Sequence, residues 1–379
     1  MTREIRISKI QCKCLTTYSN FHIRGPNAKK ENSKKSIAKK LTKKSSKKEN
    51  VHVVMMSDFL DGDTAIHMVG DTDDFPGPMN RMSMEKIMGQ LTRKLQTLNL
   101  TEEELQQVDL ASLLNSMPTP QTNDPKEQAQ ELVYSAFESH DPKQQVAIAK
   151  KALKLDPDSV DALVILAEHA SRHVFDAIDG YRKAVQAGER NLGEEFFKQN
   201  AGHFWAIHET RPYMRAMEQL ADVLRSVVMD QQGHKAFDQI NLEALEIYQK
   251  MLRLNPGDNQ GVRYKLLYFL LELDRDDEAE KLYNEYRDDF SAWWKYGRAL
   301  LDFRKQGDTA KSRKSLAAAV TYNKHFPQYL LGRKRFPPAP PGHYGVGDAN
   351  EAAYYMNSSF HVWQKTPGAV DWVEEYIDR

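Results

Sequence analysis

Cysteine is nearly absent from this 379-residue chain: Cys12 and Cys14 are its only two, both close to its start. That excludes a disulfide framework. It also excludes a structural zinc site, because Cys-x-Cys brings two of the four ligands needed and no other thiol completes the set. Long apolar runs are missing as well. None exceeds the six residues of Leu266–Leu271, against the ~20 that cross a bilayer. The first twenty residues hold no apolar core of a secretory leader, so a cytoplasmic location is the expectation. Net charge is absent only by cancellation. Residues 1–50 hold 15 Lys and Arg against Glu4, Glu31 and Glu49, and with 53 basic and 53 acidic residues in all, the remainder carries the compensating negative charge.

What is present begins with that basic segment. Lysine doublets recur at 29–30, 34–35, 39–40, 43–44 and 47–48. Crowded like charges repel and bury nothing, which predicts a disordered arm over 1–50. Nucleic acid or an anionic surface is the partner that residues 29–48 would take, by releasing counterions. No aromatic side chains interleave there to stack on bases. Residues 51–80 switch sign, with six aspartates from Asp58 to Asp74, and read as an acidic linker. Asp61-Gly-Asp63 lacks the spacing of a calcium loop. A helical pair is predicted over 81–117. Met84, Ile87, Met88, Leu91, Leu95 and Leu98 share one stripe of a 3.6-residue period, and Thr101-x-x-Glu104 is a capping box for a second helix over 102–116, stopped by Pro118.

From 124 to 336 the sequence repeats itself. Ala149-x-x-Ala152-x-x-Leu155-Asp156-Pro157 returns as Tyr248-x-x-Met251-x-x-Leu254-Asn255-Pro256. Leu163-x-x-Leu166-Ala167-x-x-Ala170, Ala177-x-x-x-Tyr181-x-x-Ala184 and Trp293-x-x-Tyr296-Gly297-x-x-Leu300 fill other halves of the same pattern. Large residues bracketing a small one at this spacing match the tetratricopeptide repeat. Small residues let the two helices of a hairpin approach, bulky ones fill the gap to the next hairpin, and a closing proline stops the second helix. Units fall at roughly 126–159, 160–188, 209–258, 259–289 and 290–324, the third enlarged near Ser226–Asn241. The expected fold is therefore all-α: a tetratricopeptide-type superhelix of helical hairpins, with extra N- and C-terminal helices. Residues 343–379 read as capping helices. Asp348 and Glu351 start one, and Tyr354, Tyr355, Phe360, Trp363, Trp372 and Tyr376 make the segment too apolar to stand in water.

Beyond the generic repeat, residues 82–379 resemble a group of soluble bacterial tetratricopeptide proteins similar to the suppressor-of-tumorigenicity-seven family. The resemblance is carried by Ala187-Gly188-Glu189-Arg190, Gly193-Glu194-Glu195-Phe196-Phe197, Gly202-His203-Phe204-Trp205, Glu209-Thr210-Arg211-Pro212-Tyr213-Met214-Arg215-Ala216 and Leu252-Arg253-Leu254-Asn255-Pro256. Tyr329-Leu330-Leu331-Gly332-Arg333-Lys334 and Gly347-Asp348-x-Asn350-Glu351-Ala352 add to it. It implies a helical-repeat fold and supplies no biochemical activity. Eukaryotic relatives are regarded as membrane proteins; this sequence lacks their spanning segments, so that property is not carried over.

Three stretches invite a chemical reading. Between the second and third units, His203, Trp205, Glu209, Arg211, Tyr213 and Arg215 form the densest cluster. It is either a packing knot or an anion site, because Arg211 and Arg215, four apart on a helix, can clamp one carboxylate. His203 and His208 fall on different helical faces, which disfavours a two-histidine metal site. His169-x-x-x-His173 has the spacing of two ligands on one helical turn but no third partner. Gly342-x-x-Gly345-x-Gly347 follows prolines rather than a strand, so it reads as a loop. No catalytic residues, metal ligands or cofactor are expected. The favoured reading is a non-catalytic adaptor that binds a protein or peptide in a concave groove. Its recognition residues would be Arg215, Glu218 and Asp222 in the third unit, Tyr264 and Tyr268 in the fourth, and Trp294 and Arg298 in the fifth. An enzyme or accessory subunit using the His203–Arg215 cluster, and surface association through the lysine arm, are the alternatives.

Overall fold

The computed structural model describes residues 23–24, 81–98, 123–229, 238–337 and 343–379. The rest of the basic arm with both cysteines, the acidic linker, the helix expected over 102–116, the centre of the enlarged third unit and the proline turn before His343 lie outside the described residues. Those described are almost entirely helical; a two-residue parallel pairing of Ile23–Arg24 with Tyr344–Gly345 is the β structure among them. The chain divides into two compact units, the first ending at Asn259 and the second running from Gln260 to Arg379.

In the first unit, α1 spans Arg81–Thr97. Next come α2 (Pro125–Glu138), α3 (Pro142–Leu155), α4 (Val160–Ala170) and α5 (Val174–Leu192). A short α6 (Glu194–Asn200) and two 3-10 turns, Phe204–Ala206 and His208–Thr210, lead to α7 (Arg211–Met229) and α8 (Asp238–Leu254). The starts of α2 and α3 follow from local chemistry. Asp124 and Asp141 accept from backbone N–H groups two residues on, at 2.9 and 3.0 Å, and a proline fills each first helical position, where no donor is needed. The pairs α2/α3, α4/α5 and α7/α8 pack as hairpins, and each hairpin packs on the next. Ala129, Val133, Ala136, Ala149, Ala152, Ala162 and Ile165 form one core among α2, α3 and α4. So many alanines bring the helix axes close together.

In the second unit, α9 (Val262–Glu272) pairs with α10 (Asp276–Glu285), and α11 (Ala292–Gln306) with α12 (Ala310–Tyr322). The small residue at the α9–α11 contact is Gly297. A Cβ there would stand 2.9 Å from Leu267 Cδ2 and 3.0 Å from the Tyr268 hydroxyl. A short α13 (His325–Leu330) leads to α14 (Ala349–Lys365) and α15 (Ala369–Ile377). Helix α14 lies on α9, α11 and α13, and buries Tyr355 and Trp363 against Tyr268, Tyr296 and Phe326. This second cover is why Leu266–Leu271 is apolar all round: the hairpin takes one side of α9 and α14 the other. Helix α14 opens on Asp348, whose carboxylate accepts from Glu351 N at 2.7 Å. Glu351, expected only to favour that first turn, is buried instead. Its carboxylate accepts from Ala292 N, Tyr322 Oη, Asn323 Nδ2 and Gly347 N at 2.8–3.0 Å. The glycine loop therefore spends backbone N–H groups on the chain's own carboxylates, Gly345 N on Asp348 and Gly347 N on Glu351.

Candidate functional site

The cluster between the second and third hairpins is organised by the two 3-10 turns that precede α7. Buried Thr210 donates its hydroxyl back to the Phe204 and Ile207 carbonyls, which closes both turns. The turns seat Phe204 and Trp205 in the interior, and Phe204 joins Phe197 and Tyr213 in an aromatic cluster. Tyr213 Oη donates to Glu189 at 3.2 Å, and burial together with that carboxylate pushes the phenol far above its ordinary pKa. Arg211 lies over the Trp205 ring at 5.4 Å and donates to its carbonyl at 3.3 Å. His203 and Glu209 stay exposed. Trp205 and Tyr213 are therefore packed into the interior, while His203 and Glu209 lie outside it.

Arg215 leaves that knot and points to another face. Its Nε and Nη2 hold Asp161 of α4 at 3.1 and 2.7 Å. Its Nη1 donates to both carboxylate oxygens of Glu85, at 2.9 and 2.8 Å, and Arg211 Nη1 stands 4.0 Å from the same group. Glu85 belongs to α1, 130 residues away in sequence. Of Arg211 and Arg215, Arg215 is thus hydrogen-bonded to the chain's own Glu85 carboxylate, with Arg211 flanking it at 4.0 Å. The Glu85 side chain is 2% exposed and that of Asp161 0%, against 16% for Arg215. Burial pushes the Glu85 carboxyl up, but Arg215, assisted by His208 and Arg211, overcomes this and holds it below the usual range. Burial pushes the His208 imidazole down, against the pull of Glu85. Its Nε2 is hydrogen-bonded to Tyr134 Oη at 3.2 Å. Gly89, one turn beyond Glu85, lies so close that a Cβ would stand 2.5 Å from His208 Nε2. Lys86 pairs with Glu131 of α2 at 3.0 Å, and Gln90 donates to the same carboxylate at 3.2 Å.

Helix α1 thus lies against the first helices of the hairpins, α2 and α7, and its anchor reaches α4 through Arg215. The face it uses differs from the apolar stripe read in the sequence. Glu85, Gly89 and Leu91 are buried, Ile87, Met88 and Leu95 half-buried, and Leu98 exposed.

Of the other recognition positions, Glu218 is buried and Asp222 half-buried, accepting from Tyr248 Oη at 2.5 Å. Tyr268 and Trp294, expected on a surface, are core residues. The Tyr268 hydroxyl sits 2.8 Å from Tyr355 Oη and 3.0 Å from the Trp293 carbonyl, and Trp294 Nε1 donates to the Tyr283 carbonyl at 3.3 Å. The physical reason differs between them: α14 covers Tyr268 through Tyr355, whereas Trp294 is stacked on Tyr283 of α10 and edge-on to Tyr264 of α9. Tyr264, half-buried, donates to Asp289 at 2.8 Å, and Arg298 is engaged by Asp302 and Glu280. His169 sits in the last turn of α4, while His173 caps α5, so the pair does not share a helix. Among the described residues no cluster of metal-ligating side chains forms, and no helix is long and apolar enough to cross a membrane. Sequence reasoning missed Glu85 altogether; its only local signal was a carboxylate beside an apolar stripe.

Residues 116–376 match the family model described as ST7 protein. The human suppressor of tumorigenicity 7 protein-like is 26% identical over 259 residues, which are 63% of this chain and 44% of that protein. The ST7 homolog of Drosophila melanogaster is 25% identical over 271 residues, 65% of this chain and 48% of its own. The chain spans less than half the length of these curated relatives, and neither name describes an enzyme. Asp161, Arg211, Arg215 and α14 fall within the matched span, whereas α1 precedes it.

Proposed function

The chain belongs to the ST7 protein family, and from that premise we propose that it is a non-catalytic adaptor built on tetratricopeptide-type hairpins. It holds a segment of another protein against the face formed by α2, α4 and α7, and a cytoplasmic setting is part of the same proposal. The observation that carries this reading is the seat of Glu85: a helix from outside the repeats rests on that face, with its carboxylate on Arg215 and near Arg211. Stacked hairpins in general offer such a face to a ligand. The large–small–large spacing around Ala167 and Gly297 supports the repeat assignment.

Photo-crosslinking in the native cell tests it. A crosslinking residue at exposed Ser135 of α2 should give a discrete adduct with a partner protein. The same residue at exposed Lys150 of α3 or Lys183 of α5, on the second helices of their hairpins, should not. Adducts from Lys150 and Lys183 alone would contradict the reading.

A further inference from the structure

In both units a helix from outside the hairpins covers the hairpins' first helices, by opposite means. In the second unit the cover is aromatic: α14 inserts Tyr355 and Trp363, both fully buried, and lies inside the family-matched span. In the first unit the cover is α1, outside that span. Its described side chains place Glu85 on Arg215 and Lys86 and Gln90 on Glu131, with Leu91 buried, Ile87, Met88 and Leu95 half-buried and Lys94 exposed, and no aromatic side chain among them. Buried aromatic surface resists exchange, whereas the place of a carboxylate on Arg215 can pass to another acid that keeps the buried charge compensated. Of the two covers, α1 is therefore the one suited to leave.

The seat it occupies is built for a carboxylate. Asp161 fixes Arg215 through Nε and Nη2 and leaves Nη1 for a second anion. Asp161 balances Arg215, and Glu85 is the buried carboxylate that stands against both guanidiniums, with exposed Glu209 acting on Arg211 from outside. Uncompensated buried charge is costly, so the seat selects an acid. One turn on, the contact between Gly89 and His208 leaves no room for a side chain. Glu85-Lys86-Ile87-Met88-Gly89 thus displays the pattern the face accepts: a glutamate, then glycine four residues later on the same side of a helix.

We propose, building on the adaptor reading, that the partner is a protein helix carrying Glu-x-x-x-Gly, and that α1 is a resident pseudo-ligand that this helix displaces. The face then exists in two states, closed by α1 or occupied in trans. Apparent affinity for the partner is reduced by the fraction of time α1 is seated.

The test uses the full chain and a fluorescently labelled peptide of residues 81–98, with binding read by anisotropy. Two receptors weaken the resident helix without touching the seat: Glu85→Gln, which removes its anchor, and Gly89→Val, which drives a side chain into His208. Both should bind the peptide about tenfold more tightly than the unaltered chain, as expected when the closed state is populated to about nine-tenths. A peptide carrying Glu85→Gln should bind none of the three. Equal binding to all three receptors, or none to either variant with circular dichroism unchanged, would overturn the proposal. So would concentration-dependent dimers of the unaltered chain that exchange α1, since the occupant would then be a second copy. A negative peptide result alongside crosslinks at Ser135 would sink the displacement while leaving the adaptor reading intact.

Discussion

Replacing Arg215 with methionine removes the cation between two carboxylates and keeps most of the side-chain volume. Asp161 loses bonds of 3.1 and 2.7 Å, and Glu85 loses two of 2.9 and 2.8 Å, leaving Arg211 at 4.0 Å. Stranding one member of a buried ion pair costs about 3–5 kcal/mol. Glu85 escapes part of that cost, because α1 can undock and return its carboxylate to water. Asp161, 0% exposed in the body of the first unit, cannot. The expected loss is therefore at the lower end, about 3 kcal/mol. Its pH dependence is the sharper signature. In the unaltered protein Glu85 titrates below the usual carboxylate range, so its contribution is present above that range and lost as pH falls through it. In the variant nothing of comparable strength opposes the burial that pushes the Glu85 carboxyl up. The acid-side fall in stability that Glu85 contributes to the unaltered protein therefore disappears. Urea unfolding of fluorotryptophan-labelled protein isolates this unit, because Trp205 is the sole tryptophan before residue 260 and Trp293, Trp294, Trp363 and Trp372 belong to the second. Adding Asp161→Asn should recover most of the loss. A cost below about 1 kcal/mol, the range of an exposed ion pair, with an unaltered pH slope would refute the reasoning.

Two further changes probe each unit separately. Gly188→Ala places a Cβ 2.6 Å from Tyr213 Cδ2 where α5 meets α7, and overpacking should cost about 1–3 kcal/mol despite the gain in helix propensity, read as a lowered Tm; an unchanged or raised Tm would contradict the close approach. Glu351→Gln replaces one of two acceptor oxygens with an NH2 group that faces donors among Ala292, Tyr322, Asn323 and Gly347, at an expected cost of about 2–3 kcal/mol confined to the second unit's transition. Transfer of that cost to the Trp205 transition would show the effect to be placed wrongly.

The hairpins were legible because their information is local. The Ala149-to-Pro157 and Tyr248-to-Pro256 endings mark the closes of α3 and α8, and Gly297 marks the close approach at α9, because a small residue between large ones has one steric use at that spacing. Arg211 and Arg215 were readable as a clamp for the same reason: four residues on a helix put them on one face. What filled the clamp was not readable. Glu85 and Arg215 are 130 residues apart, and a single sequence carries no record of which carboxylate a guanidinium meets. Tyr268 was misplaced on a surface because its burial depends on Tyr355 of α14, 87 residues downstream, and Trp294 because it packs on Tyr283 of the preceding hairpin rather than facing a groove. Glu351 looked like a favourable first-turn charge, and its N–H does bond Asp348, but the four donors to its carboxylate come from two other segments, at Ala292 and at Tyr322–Asn323, as well as its own loop.

The most direct measurement of the central claim is hydrogen exchange of the α1 amides in the full chain, with and without Glu85→Gln. If Glu85 in the grip of Arg215 seats α1 on the first unit, amides of 81–97 are protected in the unaltered chain, and Glu85→Gln releases them while α4 and α7 keep their protection. Identical exchange of that segment in the two proteins would contradict it.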